Sequence, residues 1–415
     1  MTMPIRLPIE LLDLITQDTT IDTQTRLSAV SRSFYSISVP RLYASIPELG
    51  ISRMTKCLLT LSTKPELASL VRSFSFNLFH SPHVLQAFVT LLSRALGNMN
   101  NLHTLSFRLG FAVPRAMNLL VYAPLRLTKL ECNLPPEGSY PVAQFLSTQP
   151  TIEELLIICR TEDISTLPYD ALPALKDLAA PLRLLPRLLL PRLPRLSRLT
   201  ALEVMTDPED LIMLALLFTA SKPSQLIELI LRAKITENTM SAVTVTVGLG
   251  LLGLAAPSIQ SLMLGIYGDH IDKSVLQVMF STALPNFPNL KLLVLTSPAP
   301  AQGAYIPGPQ MQLVRTLSRT HTFFYNVLAS VSSTVFDFSG GLINFSSILS
   351  VFSPRQSAPS AESDQSQNQP EPTLDALHDK TCHLEIVKAW RQVQPGLECV
   401  SFPPNIYICS TLFKD

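Results

Sequence analysis

The chain has 415 residues, enough for two or three ordinary domains or for one domain joined to a repeat array. Its formal net charge of +1 provides no global field that would draw it onto nucleic acid. Only 15% of the residues are charged while 34 are proline, a balance that points to many short apolar elements punctuated by turns.

The first stretch, LPIELLDLI from Leu7, reads as a helix. Pro8 suits a first helical turn, where its missing N–H costs nothing. Leu7, Leu11, Leu12 and Ile15 then form an apolar stripe. Asp18 to Asp22 is a polar break. A second helix is expected from about Thr23, with Leu27, Val30, Phe34 and Ile37 on one face. Pro40 is expected to stop it and to open a third helix carrying Leu42, Tyr43 and Ile46. Three short helices cannot bury so much leucine among themselves, so an outward stripe invites a partner. Arg6 is the one early basic residue, and Glu10 and Asp13 interrupt the apolar run, so no signal peptide is expected.

With RLSAVSRSFYSISVPRLYASI following LPIELLDLI, residues 1–47 resemble an F-box of the kind found in fungal F-box proteins. The resemblance rests on Leu7-Pro8, Glu10-Leu11-Leu12, Ile15, Leu27, Val30-Ser31, Phe34 and Leu42-Tyr43. It implies a small all-α unit that docks on the Skp-type adaptor of a cullin-RING ubiquitin ligase. Carried over, Leu7, Pro8, Leu11, Leu12, Ile15, Leu27 and Val30 would line the adaptor interface. The segment TQDTTIDTQT departs from the family, which usually has more apolar residues there. The alternative is a helical cap on the repeat array that follows.

An apolar-x-x-apolar-x-apolar pattern recurs through the middle of the chain. It stands as LHTLSF from Leu102, LTKLEC from Leu127, IEELLI from Ile152, LTALEV from Leu199, LIELIL from Leu226, IQSLML from Ile259 and LKLLVL from Leu290. VRSFSF from Val71, LKDLAA from Leu175 and LECVSF from Leu397 fit more loosely. The anchors Phe74, Leu105, Leu130, Leu155, Leu178, Leu202, Leu229, Leu262 and Leu293 follow one another at steps of 23 to 33 residues. Leucine-rich repeats have periods of about 20–29 residues and lengthen where the return segment is a full helix. Each unit supplies one short strand that cannot bury its apolar face alone, so neighbours stack. A proline often precedes the strand, as at Pro150, Pro173, Pro223, Pro257 and Pro288, where it ends the preceding helix. Of the asparagine ladder of such repeats, Asn133 alone is a candidate. The array is therefore similar to the leucine-rich-repeat-like regions of many F-box proteins. Within it, APLRLLPRLLLPRLPRLSRL, ending at Leu199, has too many prolines for a basic membrane-surface helix and reads as compressed repeat turns with solvated arginines.

After Leu293 the next anchor is Val400. The insertion expected at 301–375 comprises an apolar part, 320–352, and then SPRQSAPSAESDQSQNQPEPT from Ser353, whose composition is that of a disordered segment. The apolar part contains many Ser, Thr and Asn and falls short of the ~20 predominantly apolar residues of a membrane helix, so no membrane span is expected. The array resumes over 376–415 with a helix bearing Ile386, Val387, Trp390 and Val393 and a last strand.

No catalytic constellation emerges. GLGLLG, Gly248 to Gly253, matches a dinucleotide fingerprint and follows AVTVTV, but Pro257 soon interrupts the helix that such a site requires. His378, Cys382 and His383 lack a fourth zinc ligand and a recognised spacing. His80 and His83 flank Ser81-Pro82 in an expected loop. Asp207, Glu209 and Asp210 fit a helix N-terminus as well as an acid/base site. The six cysteines form no CxxC pair and read as reduced core thiols.

The expected fold is therefore α/β: a short N-terminal all-α F-box-like helical unit (1–47) followed by a leucine-rich-repeat-like α/β solenoid (48–300, closed by 376–415). The expected function is the substrate-recognition subunit of an SCF-type cullin-RING ubiquitin ligase, intracellular, not itself an enzyme and without cofactor, metal or nucleic-acid partner. The alternative is a leucine-rich-repeat interaction scaffold with no ligase role. Residues beside the anchors point away from the core. They are Thr104 and Ser106, Lys129 and Glu131, Glu154 and Leu156, Ala201 and Glu203, Glu228 and Ile230, Ser261 and Met263, then Leu292 and Val294. This face turns apolar late, which puts an unknown protein target at Ile230, Met263, Leu292 and Val294.

Overall fold

A computed structural model describes residues 8–78, 86–110, 126–221, 225–236, 240–268, 270–297, 375–403 and 405–409. The chain divides into two compact units, Met1–Pro298 with Thr373–Asp415, and Ala299–Pro372. All of the described residues belong to the first. The expectations for 301–374 and for Leu7, His80 and His83 lie outside the described residues.

Three helices open the fold. α1 (Ile9–Gln17) begins directly after Pro8, and α2 (Ile21–Val30) follows Thr20, whose hydroxyl accepts the Thr23 N–H. α3 spans Arg32–Ala44. The break between α2 and α3 falls at Ser31, not at Pro40 as the sequence pattern implies. Ser31 is extended (φ −156°, ψ 162°), and its hydroxyl accepts the Phe34 N–H at 3.2 Å. That cap satisfies a donor which the start of a helix leaves unpaired. Pro40 lies inside α3, four residues before its end, so Phe34 and Ile37 belong to α3 and not to the helix of Leu27. Ile46 is not helical. It sits in the two-residue strand β1 (Ser45–Ile46), which joins the helices directly to the sheet.

Among the described residues the sheet has twelve strands in chain order. They are β1, β2 (Ser73–Leu78), β3 (Thr104–Leu109), β4 (Lys129–Asn133), β5 (Glu154–Ile158), β6 (Asp177–Ala180), β7 (Arg198–Ala201), β8 (Glu228–Ile235), β9 (Ser261–Gly268), β10 (Leu292–Thr296), β11 (Cys399–Phe402) and β12 (Asn405–Ile408). Strands β1 to β11 are parallel, and β12 runs antiparallel to β11. This strand order, with one strand per unit and neighbours always consecutive, resembles a leucine-rich-repeat solenoid.

Register shows how the units stack. Phe74, Leu105, Leu130, Leu155, Leu178, Leu199, Leu229, Leu262, Leu293 and Val400 form one buried row across the sheet. The loosely matching VRSFSF, LKDLAA and LECVSF therefore occupy the same register as the others. The anchor of β7 is Leu199 and not Leu202. Its unit is LSRLTA, with Leu196, Leu199 and Ala201 buried, so its outward residues are Arg198 and Thr200 in place of Ala201 and Glu203.

The spacing of anchors sets what returns the chain. Steps of 30 residues or more hold a full helix: α5 (Gln86–Asn98) between β2 and β3, α6 (Pro208–Ser221) between β7 and β8, α7 (Ala242–Ala255) between β8 and β9, and α8 (Lys273–Ala283) between β9 and β10. A further helix, α4 (Ile51–Thr63), precedes β2. The 21-residue step from Leu178 to Leu199 has room only for single turns, Leu182–Leu184, Leu185–Leu189 and Leu193–Arg195.

A lateral ladder ties the turns together. The carbonyls of Arg72, His103, Thr128, Glu153, Lys176, Ser197, Ile227, Gln260 and Lys291 each accept two N–H groups from the next unit. Side chains reinforce it: Asn101 donates to the Ser69 carbonyl, Thr151 to Leu127, Ser258 to Leu226 and Asn289 to Pro257. The role expected of Asn133 is thus spread over polar residues that precede the strands. The ladder crosses the long gap unbroken, since the Lys291 carbonyl accepts from Glu398 and Cys399. There α9 (Lys380–Val393) packs its buried Trp390 against Phe280 (ring centroids 4.9 Å apart), and the indole N–H reaches the Gln277 carbonyl at 3.2 Å.

One arginine of the compressed stretch is not solvated. Arg192 is 1% exposed, and it donates to the carbonyls of Ala171, Pro168 and Leu188 at 2.9, 2.9 and 3.1 Å. Burial, then the nearby Arg195 and Arg187, lower its pKa to about 10, so it stays charged at neutral pH. Proline-rich turns leave backbone acceptors unpaired, and a guanidinium with five donors satisfies several of them at once.

Candidate interaction surfaces

The N-terminal helices present their apolar side chains outward. Pro8, Ile9, Leu11, Leu14, Ile15, Ile21 and Val30 are all exposed, with Leu11 at 46% and Leu14 at 56%. Leu12 and Leu27 are half-buried. Along α1 the inward positions are Leu12, Asp13 and Thr16. Asp13 pairs with Arg41 of α3 at 2.8 Å, and the buried Thr16 hydroxyl donates to the Leu12 carbonyl. Of the residues carried over from the F-box resemblance, then, Pro8, Leu11, Ile15 and Val30 lie on the outer surface. Ile9, Leu14 and Ile21 join them; helical spacing alone did not single these out.

The second surface is the sheet face opposite the helices. Lys129, Glu154, Asp177, Arg198 and Glu228 lie side by side in register on β4 to β8. Lys129 contacts Glu154 at 3.0 Å and Glu131 at 3.3 Å, while Arg198 lies 2.6 Å from Glu228 and 3.6 Å from Asp177. Hydrogen bonding to these carboxylates holds Lys129 and Arg198 above their ordinary pKa values. The charges of the middle of the face thus neutralise one another. Further along, Ile230, Met263 and Val294 form a continuous half-buried row, with Leu292 beside it. The four residues expected to hold a target are therefore brought together on one face.

That strip extends beyond the residues singled out. Ser401 of β11 is opposite Ile406, and Cys399 opposite Ile408. Val400 and Phe402 are buried, so Ile406 and Ile408 share the open face with Val294 and Leu292. The signal for them is the alternation NIYI, too short to carry a strand assignment alone.

The remaining candidates for chemistry resolve into packing. GLGLLG lies inside α7, and so does all of AVTVTV, so no strand-to-helix turn exists there to cradle a phosphate. The glycines let helices approach: a Cβ on Gly248 would lie 2.7 Å from Leu211, and one on Gly253 would lie 2.7 Å from the Asn286 carbonyl oxygen. Cys382 and His383 of α9 are buried. His383 stacks on Phe402 with ring centroids 4.0 Å apart, and its ring nitrogens meet the Ala376 carbonyl and the Tyr407 hydroxyl, both at 3.0 Å. Burial lowers its pKa, which favours the neutral ring. Asp207, Glu209 and Asp210 sit at the start of α6. Burial pushes the thiols of Cys132 and Cys159 up, the latter to about 12, which keeps both protonated. Among the described residues no group of three or more His, Cys, Asp or Glu is placed to hold a metal ion, and no helix is long and apolar enough to cross a membrane.

No protein-family model matches the chain, and no curated protein matches it. Among solved structures, a crystal structure of a TLR13–ssRNA13 complex aligns at 17% identity and a TM-score of 0.34, over 56% of this chain and 31% of that one. A likeness that slight has no bearing on what this chain binds.

Proposed function

We propose that this chain is a protein-recognition subunit that joins two partners, its N-terminal helices docking an adaptor and the late part of its sheet face holding a protein target. In its specific form, resting on the F-box resemblance, the adaptor is of the Skp type and the assembly is an SCF-type cullin-RING ubiquitin ligase. Ubiquitin transfer then belongs to other subunits, and this chain contributes binding alone. The observation that carries the reading is the outward apolar surface of α1, with Ile9, Leu11, Leu14 and Ile15 exposed on a helix whose inner side already packs on α3. Burying such side chains stabilises by about 1.5–3 kcal/mol each, and a partner that covers them gains what folding left unused.

The test is co-purification with a Skp-type adaptor and cullin. Leu11→Asp with Ile15→Asp is the informative pair, because both side chains are exposed and their loss is expected to leave the fold intact. Adaptor affinity is expected to fall at least about a hundredfold, at ~1.4 kcal/mol per decade. Unchanged co-purification of the folded double variant would overturn the ligase reading. Charge substitutions at Met263 and Val294 test the other partner, and are expected to abolish target capture with adaptor binding intact. The scaffold reading without a ligase is favoured if the second pair matters and the first does not.

A further inference from the structure

The cations of this chain are not spread evenly. Residues 49–128 hold Arg53, Lys56, Lys64, Arg72, Arg94, Arg108, Arg115 and Arg126 against a single acid, Glu66. The stretch carries a net charge of +7 where the whole chain carries +1, which leaves −6 for the rest. Arg115 lies outside the described residues, and each of the other seven cations is exposed. Among the described residues those seven side chains enter none of the ion pairs. Later units place an acid beside the cation at the rim where the strands begin: Lys176 meets Glu153 at 2.8 Å and Lys291 meets Glu398 at 3.2 Å. At the start of the array Arg72 is followed along that rim by His103 and Thr128, and neither is acidic.

Six of these cations share one side of the first units. α4 and α5 pack together, and Asn98 at the end of α5 donates to the Leu61 and Ser62 carbonyls at the end of α4. Arg53, Lys56 and Arg94 lie on the outer side of this pair. Lys64 follows the last residue of α4, Arg72 precedes β2 and Arg126 comes shortly before β4, so all three stand at the rim. Arg108, on the open face of β3, is apart from the group. Helix stability does not account for Arg53. It lies in the first turn of α4, where the macrodipole disfavours a cation, and that turn holds no acid to offset it. Clustered like charges also repel one another and destabilise the compact state.

We infer that this helix-side and rim surface binds a run of aspartate and glutamate side chains in a protein partner. Four of the six cations are arginines, whose planar fork takes a carboxylate through two parallel hydrogen bonds. Two other polyanions fit less well. Single-stranded nucleic acid is held by aromatic side chains that stack on its bases, whereas the large apolar side chains exposed on α4 are Ile51 and Leu59. A membrane-surface helix lays a broad apolar face on the lipid, and that face of α4, formed by Met54, Leu58 and Leu61, is buried in the core. The surface shares no residue with the outward side of α1 or with the late sheet face, and the inference holds with or without an adaptor on the N-terminal helices.

The experiment is fluorescence anisotropy of a labelled peptide of consecutive glutamates, titrated with the full chain at about 0.15 M salt, where distant charges are largely screened. Wild type is expected to bind it saturably. Lys56→Glu with Arg94→Glu, and separately Lys64→Glu with Arg72→Glu, are each expected to weaken binding at least about tenfold. Lys380→Glu with Lys388→Glu changes the net charge equally at exposed positions of α9 and is expected to leave binding unchanged. Circular dichroism melts establish that the variants remain folded. Lys56→Gln with Arg94→Gln gives a milder loss in the same direction and replaces any reversal that unfolds the chain. A peptide that does not bind overturns the inference, and so does an equal loss in the α9 pair, which would report net charge alone. A single-stranded oligonucleotide, or vesicles of phosphatidylcholine and phosphatidylserine, bound more tightly than the peptide and through Lys56 and Arg94 would assign the surface to that polyanion and overturn it as well.

Discussion

Leu229 and Leu14 are the same residue in opposite circumstances. Leu229 is fully buried in the anchor row of the sheet, whereas Leu14 is 56% exposed on α1. In the solenoid each anchor side chain is covered by its own unit and by the units beside it. In the N-terminal unit α1 leans mainly on α3, and two of its three inner positions, Asp13 and Thr16, are polar, with Leu12 only half-buried beside them. The solenoid's leucines stabilise the fold. Leu11 and Leu14 of α1 contribute little to it and are available to something outside.

The sharpest way to break this contrast is to truncate both. Leu229→Ala is expected to cost about 2–5 kcal/mol, because the neighbours at Leu199 and Leu262 belong to fixed strands and cannot close the cavity. Leu14→Ala is expected to stay within about 0.5 kcal/mol. Urea unfolding followed by circular dichroism measures both. Equal losses would mean that α1 is part of the core and not a surface held for a partner.

A second pair of variants sharpens the point with glycine. Nothing lies within 4 Å of a Cβ placed on Gly97 in α5, whereas one on Gly253 in α7 meets the backbone of Asn286. Alanine in a helix interior is favoured over glycine by about 1 kcal/mol. Gly97 lies in the last turn of α5, where only part of that preference applies, so Gly97→Ala is expected to raise the melting temperature slightly. Gly253→Ala gains the same propensity but must push a backbone turn away, at a cost of about 1–3 kcal/mol, so it is expected to lower the melting temperature. If Gly253→Ala stabilises, the close approach of α7 to the turn at Asn286 is wrong.

Much of the solenoid was legible in the sequence because its determinants are short-range and repeated. The β7 anchor shows the limit. LSRLTALEV contains two overlapping matches, one on Leu199 and one on Leu202, and the second has the more apolar letters. The neighbouring strands decide: Ala201 fits beside Ala180 in register, whereas Val204 ends 37% exposed. The break at Ser31 was hidden because proline is the louder signal, although a serine cap satisfies more of the helix start. Arg192 was unreadable, since what holds it are backbone carbonyls of turns whose conformation no pattern specifies. The target strip was half legible. Alternation named Ile230, Met263, Leu292 and Val294, but Ile406 and Ile408 join them only through an antiparallel return that follows two prolines.

The smallest expected effect concerns charge and sharpens the contrast from the polar side. Asp13 of α1 keeps half its side chain in water beside Arg41, whereas Asp210 at the start of α6 is drawn into the solenoid. Burial, then Asp207 and Glu203, push the Asp210 carboxyl up from 3.8 to about 6. The folded state therefore holds this proton more tightly than the unfolded chain does. Its stabilising contribution is full below pH 3.8 and is lost as the pH rises through 6. At about pH 7.5 an ionised Asp210 is a cost. Asp210→Asn removes that cost but also removes a negative charge from a helix N-terminus, a loss of about 0.3–1 kcal/mol, and solvent screens part of the rest. The net gain expected is about 1 kcal/mol at about pH 7.5, disappearing by about pH 4. Thermal melts of wild type and variant at the two pH values measure the difference directly. A gain that persists undiminished at the lower pH would show that Asp210 is uncomfortable for reasons of shape, and that burial of its charge is not what distinguishes it from Asp13.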